Sequence, residues 1–263
     1  MNFTNKVIWI TGASSGIGKA LALQLSNLDC KLILSSRRES ELNIVKSQCN
    51  NPNNVAILAF DLADYDMMKP LAKNAISIFG SIDILINNGG ISQRSLIIDT
   101  DISVDKKLME IDYLGTVALS KALLPHFMSQ ESGHFVTVTS LMGKFGSPYR
   151  SGYCGAKHAL HGFFDVLRME HEKDNVKVTL ICPGFVNTDV SKNALKGDGT
   201  KLEKLDKATE NGLSVEEFTK RMLIAISKQK FEAYIGKKET MGVFLKRFFP
   251  KLLHKTVMKS EVR

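Results

Sequence analysis

A chain of 263 residues, 44% of them hydrophobic, is long enough to bury one large core, and its length admits one or two domains. Its four cysteines, Cys30, Cys49, Cys154 and Cys182, form neither a CxxC pair nor a cysteine–histidine cluster, so no disulfide framework or zinc site is indicated and free thiols in a reducing compartment are expected. The net charge of +8 is concentrated in residues 237–263, which set eight Lys/Arg against Glu239 and Glu261 and leave only +2 elsewhere, against a basic nucleic-acid-binding body.

The amino terminus runs directly into a predicted strand, with no room for a signal peptide. No apolar stretch approaches the ~20 residues of a membrane span, so a cytoplasmic location is expected. Strands are predicted over residues 6–11 (KVIWIT), 31–36 (KLILSS), 55–60 (VAILAF), 82–87 (IDILIN), 134–139 (HFVTVT), 176–182 (VKVTLIC) and 231–235, with helical patterns between them. The first two helices are predicted over 16–28 and up to about residue 49. Short, almost continuously apolar strands belong to a parallel sheet covered on both faces. Repeated βα units with right-handed crossovers give an α/β fold, a doubly wound (Rossmann) sheet of about seven strands. With no internal repeat or linker, residues 1–236 read as one domain, and 237–263 as a basic amphipathic extension.

The first strand leads into Thr11-Gly12-Ala13-Ser14-Ser15-Gly16-Ile17-Gly18 and then a helix. Gly12 permits a tight turn, Gly16 close approach to a pyrophosphate, and Gly18 close helix–strand packing. The helix start offers unpaired N–H groups to phosphates. About 20 residues on, a fold selecting NAD carries an acid at the end of the second strand. This chain has Arg37 and Arg38 there, and a guanidinium suits a 2′-phosphate, so NADP(H) is preferred and NAD(H) stays possible. Glu39 and Glu41 could each reach a ribose, or serve as first-turn acids of the next helix.

Further on, Tyr153-Cys154-Gly155-Ala156-Lys157 places a phenol and an ammonium one helical turn apart. A lone phenol ionises near pH ~10, and a neighbouring cation pulls that toward the range useful for acid/base work.

From Thr11 to Thr188 the chain resembles the short-chain dehydrogenase/reductase family in its single-domain form. Thr11–Gly18 matches the TGxxxGxG turn. Asp61 and Leu62 match the adenine-contacting position. Asn87-Asn88-Gly89-Gly90 resembles NNAG, with Gly89 in place of alanine, a swap expected to cost little. Ser140 precedes Tyr153 by 13 residues, the family's usual separation. Pro183, Gly184, Val186 and Thr188 fall in a turn that resembles the one lining the nicotinamide. The resemblance implies catalysis by Ser140, Tyr153 and Lys157: Tyr153 exchanges a proton with a carbonyl or alcohol oxygen, Ser140 hydrogen-bonds that oxygen, and Lys157 tunes the phenol and holds the nicotinamide ribose. It also implies a small-molecule carbonyl or alcohol substrate and a homodimer or homotetramer. Where the family's proton relay has an asparagine, this chain has Asp112, expected to stabilise the Lys157 ammonium and weaken its pull on Tyr153.

Closest is the branch of hydroxysteroid and retinoid reductases, on Ile91-Ser92-Gln93-Arg94-Ser95 and the 118–125 helix end, which implies a lipophilic ketone or aldehyde. A non-catalytic NADP(H)-binding sensor or membrane scaffold is the alternative.

His158, His161 and His171 lack the partners of a zinc motif, and no metal is expected. Cys154 is expected to pack. Val215, Phe218, Met222 and Ile226, opened by the capping pair Ser214 and Glu217, predict a core-facing helix in the region that supports the family's oligomer contacts. Residues 189–213 correspond to the family's mobile substrate lid, with a flexible Gly197-Asp198-Gly199 and Leu195, Leu202 and Leu205 as candidate lining. In the tail, Leu245, Phe248, Phe249, Leu252, Leu253 and Val257 recur at helical spacing and Pro250 interrupts. Packing over the pocket or a partner subunit is favoured over peripheral contact with an anionic membrane.

Overall fold

The computed structural model describes residues 2–204 and 206–259. Seven strands, β1 (Val7–Thr11), β2 (Lys31–Ser35), β3 (Val55–Ile57), β4 (Ile84–Asn87), β5 (Gly133–Val138), β6 (Val176–Pro183) and β7 (Glu232–Ile235), form one sheet in the order β3-β2-β1-β4-β5-β6-β7. Every pairing is parallel. Between and after them run α1 (Gly16–Leu25), α2 (Glu39–Gln48), α3 (Met68–Phe79), α4 (Ile102–Leu108), α5 (Thr116–Ser129), α6 (Ser151–Glu170), α7 (Lys207–Glu210), α8 (Val215–Ser227), α9 (Met241–Phe248) and α10 (Pro250–Lys259).

The inner strands are largely apolar and fully buried because both faces are covered. Alternate side chains divide between two cores. Ile8, Ile10, Leu32 and Leu34 meet Leu21 and Leu25 of α1, Leu42 of α2, and Phe218 and Met222 of α8. On the other face Trp9, Ile33, Leu85 and Phe135 meet Ala72 of α3, Leu123 and Phe127 of α5, and Phe164 of α6. The Trp9 indole N–H donates to Ser35 Oγ at 2.8 Å, so its one polar atom is satisfied within the core. The predicted start of α8 is observed: Ser214 Oγ accepts the Glu217 N–H at 3.2 Å.

Several boundaries differ from the sequence expectation, the first helix among them, predicted to residue 28 and ending at Leu25. The third strand, predicted to residue 60, ends as β3 at Ile57, yet the Leu58 and Phe60 N–H groups still bond Leu34 and Ser36 carbonyls. The chain therefore tracks its neighbour as a one-sided edge. Between α4 and α5 the helix widens into π-helical turns over Met109–Gly115, a local irregularity that often marks a functional site. Gly115 there abuts the Leu62 carbonyl closely enough that any Cβ would overlap it.

The tail is two helices, and Pro250 opens the second at a position whose N–H has no intrahelical role. Its inner side packs on the body: Val243, Leu245, Leu253 and Val257 cluster with Leu141, Phe145 and Cys182. No described helix is long and apolar enough to cross a membrane. All four cysteines are free and buried, and burial raises the Cys154 thiol above its usual range.

Candidate active site

The sheet order reverses between β1 and β4, and the carboxyl ends of those strands open a crevice. The turn after β1 forms one wall. Gly12 and Gly16 have φ of 64° and 52°, a region that side chains resist. A Cβ on Gly12 would also lie 2.8 Å from the Gly89 Cα, and one on Gly18 would overlap the Gly12 carbonyl. Asn88 braces the turn from the neighbouring strand, its Nδ2 donating to the Thr11 carbonyl at 3.0 Å. Ser14, Ser15, Gly16 and Ile17 face the cavity, as do Leu62, Asn88 and Gly89, whereas Gly18 lies behind the turn and serves it by packing alone. Alanine at position 89 would place its methyl 2.7 Å from Leu62 Cδ1, so here Leu62 occupies the missing methyl's place and the swap to glycine is coupled to that side chain.

At the end of β2, Arg38 Nη2 donates to Ser14 Oγ at 2.9 Å and to Ser15 Oγ at 3.0 Å, tying the guanidinium to the glycine turn. Arg37 Nη1 lies 3.6 Å from Asp61 Oδ2. Arg37, Arg38 and Asp61 all face the cavity; Glu39 and Glu41 do not, and both open α2 in its first turn. The acid at this corner is Asp61, which pairs with Arg37, and neither Glu39 nor Glu41 reaches the cavity wall.

Across the crevice, Ser140 ends the segment after β5 and its Oγ accepts the Met142 N–H at 3.1 Å. Tyr153 and Lys157 stand one turn apart on α6, with Lys157 Nζ 5.6 Å from the phenol ring centroid. Lys157 is buried: its Nζ donates to the Val138 carbonyl at 3.3 Å and lies 3.3 Å from Asp112 Oδ2. Asp112, fully buried, accepts the Ile91 N–H on Oδ1 at 2.7 Å. Burial lifts its carboxyl above the usual carboxylate range, against the pull of Lys157. Burial alone would lower the Lys157 ammonium, but Asp112 and Tyr153 together outweigh it and raise the group. Asp112 thus touches Lys157 from behind and does not reach the cavity wall.

Two residues that frame the site escaped sequence reasoning. Gln93, fully buried, accepts the Gly152 N–H on Oε1 at 2.9 Å and donates through Nε2 to Ser95 and Thr100. It caps the start of α6 and so fixes the helix carrying Tyr153. Glu239 Oε1 accepts the Phe185 N–H at 3.0 Å and sits beneath the turn carrying Pro183, Gly184, Val186 and Thr188, all of which face the cavity.

A sequence profile described as short chain dehydrogenase matches residues 6–199. This chain belongs to the short-chain dehydrogenase/reductase family. Human dehydrogenase/reductase SDR family member 7 is 41% identical over 254 residues, covering 94% of this chain and 75% of its own. The rat family member 7B is 38% identical over 267 residues, covering 98% and 82%. A short-chain dehydrogenase/reductase from Burkholderia phymatum in complex with NAD superposes with a TM-score of 0.84 at 21% identity, covering 96% of each chain, a likeness of fold.

In this family member the described part of the 189–213 segment bonds the body through Leu195, whose backbone pairs with Ser92 and Arg94. Gly197, placed in a flexible turn by the sequence, packs against the Asp99 backbone, and Thr200 bonds Asp198 Oδ1 at 2.9 Å through its N–H. Leu195 faces the cavity; Leu202 does not, and Leu205 lies outside the described residues. Among the described residues no three His, Cys, Asp or Glu side chains converge as metal ligands; His161 Nδ1 lies 3.3 Å from Glu232 and His171 pairs with Asp174. The cavity measures about 1060 Å³, and its lining includes the apolar Phe145, Leu195, Leu245, Leu253 and Val257. The donor-rich glycine turn, the two arginines and the left-handed glycines fit a nicotinamide dinucleotide.

Proposed function

We propose that this family member is an NADP(H)-dependent oxidoreductase that interconverts a lipophilic ketone or aldehyde and its alcohol, with Tyr153 as general acid/base. The observation that carries it is that Ser140, Tyr153 and Lys157 face one cavity with the glycine turn and Arg38. A bound dinucleotide supplies or accepts the hydride. Ser140 holds the substrate oxygen by a hydrogen bond from its hydroxyl, where negative charge develops during reduction. Tyr153 gives that oxygen its phenolic proton, and takes a proton from the alcohol in the reverse direction. The Lys157 ammonium, buried below the phenol, favours the phenolate left behind.

Arg37 and Arg38, in place of an acid after β2, support NADP(H) over NAD(H), although the Burkholderia relative holds NAD. The apolar residues in the lining support a lipophilic substrate, as does the resemblance to hydroxysteroid and retinoid reductases. A cytoplasmic homodimer or homotetramer belongs to the same reading: Ile224 on α8 and Tyr234 on the edge strand β7 are large apolar side chains left exposed. The test is NADPH turnover with a panel of carbonyls. Tyr153→Phe should reduce the rate by about 100-fold or more, and equal rates would replace the enzyme with the non-catalytic alternative.

A further inference from the structure

The two faces of the tail are chemically different. The inner face of α9 and α10 closes the cavity through Leu245, Leu253 and Val257. The outer surface exposes Phe244, Phe248, Phe249 and Leu252, at 49%, 62%, 53% and 53% of their full areas. The three phenylalanines are gathered rather than scattered: the Phe244 ring centroid lies 4.8 Å from that of Phe248 and 6.1 Å from that of Phe249. Isolated exposed apolar residues are ordinary on a soluble surface, but a ring cluster on one short segment marks a contact.

Charge decides which contact. Between Met241 and Lys259 stand Lys246, Arg247, Lys251, Lys255 and Lys259 and no acid. All five are exposed, and the last three recur every four residues along one side of α10. A second copy of the chain meeting this patch across a two-fold axis would set it against itself, basic against basic. An anionic bilayer offers hydrocarbon depth for the rings and phosphate or carboxylate for the cations.

We propose that the outer face of α9 and α10 docks this protein on an anionic phospholipid surface. The rings enter the boundary between headgroups and acyl chains, and Lys246, Arg247, Lys251 and Lys255 pair with the lipid anions. Because the opposite face of the same helices forms cavity wall, docking holds that wall of the cavity beside the bilayer. That last consequence rests on the lipophilic substrate proposed above; the docking itself does not.

Flotation of the full chain tests it, on phosphatidylcholine vesicles with and without phosphatidylserine. The wild type should float with the anionic vesicles, lose about tenfold or more in partition at high salt, and stay behind with phosphatidylcholine alone. The doubles Phe248→Ser/Phe249→Ser and Lys251→Glu/Lys255→Glu should each weaken partition by about tenfold or more. Their melting, their NADPH binding and their lipid-free mass by light scattering should match the wild type. The docking is overturned by any of three results: no flotation of the wild type on anionic vesicles, equal flotation of the variants, or a fall in lipid-free mass in the phenylalanine double, which would assign the patch to a second copy. Carbonyl turnover is measured on the same preparations, so a failed flotation and a failed oxidoreductase reading are told apart.

Discussion

Asp112 Oδ2 lies 3.3 Å from Lys157 Nζ, with Asp112 fully buried and Lys157 reaching the cavity on the side of α6 that carries Tyr153. The space beside the pair is tight: a Cβ on Gly90 would come 3.1 Å from Asp112 Oδ1 and 3.3 Å from the ammonium. Burial disfavours the Lys157 ammonium and the Asp112 carboxylate opposes that. In Asp112→Asn the opposition is gone, so the ammonium should lose its proton at lower pH and the oxidative rate should fall away at lower pH than in the wild type. The check is a pH profile of kcat/KM in the oxidative direction. An unmoved profile would make Asp112 a packing residue only.

Arg38 bridges the end of β2 to both serines of the glycine turn, the corner where a 2′-phosphate would sit. Arg38→Ala removes a charge-assisted donor pair without touching the crevice floor. The KM for NADPH should rise by about 10- to 100-fold while that for NADH changes little. Parallel losses for both cofactors would mean that Arg38 braces the turn instead of reading the phosphate.

How far the sequence reveals this site depends on the range of each interaction. Gly12, Gly16, Arg38 and the Tyr153–Lys157 pair are legible because their geometry comes from strand ends and one helical turn. The seven-strand sheet is legible for the same reason, since apolar runs report burial on both faces. Gln93 and Glu239 are not, because their partners Gly152 and Phe185 are 59 and 54 residues away and nothing periodic links them. Leu62 filling the space beside Gly89 is equally invisible, since motif comparison sees a lost methyl and not the neighbour that replaces it.

His134 bears on stability rather than catalysis. Its Nε2 bonds Thr179 Oγ1 at 2.8 Å deep in the sheet, and burial, reinforced by Lys177, pushes the imidazole down from 6.5 to about 4. The unfolded chain takes up the proton below 6.5 and the folded chain only near 4. The contribution is therefore fully present above 6.5 and declines as pH falls toward 4, by about 3 kcal/mol in all. His126, also lowered by burial, adds in the same sense. Urea midpoints measured across this window should fall less steeply in His134→Gln than in the wild type. Identical slopes would place the acid sensitivity elsewhere.

Asp206 anchors the segment over the cavity. Its Oδ2 accepts from Arg94 Nη2 at 2.8 Å and Nε at 3.3 Å, lies 3.8 Å from Arg150 Nη2, and its Oδ1 caps α7 through the Thr209 N–H at 2.7 Å. Burial would raise this carboxyl, but Thr209 and Arg94 together hold it below the usual range. Arg150, already lowered to about 10 by burial and then by Arg94, has no other carboxylate beside it among the described residues. Asp206→Asn leaves two buried guanidiniums facing each other, a loss of about 3–5 kcal/mol for a broken buried pair. That exceeds what a surface segment needs to open locally but need not unfold the sheet. The variant should show a raised KM for the carbonyl, new protease cleavage within residues 189–213 and an unchanged affinity for NADPH, whose glycine turn is on other elements. Unchanged cleavage together with an unchanged KM would show that the segment is held by Leu195 and its backbone bonds to Ser92 and Arg94 rather than by the ion pair.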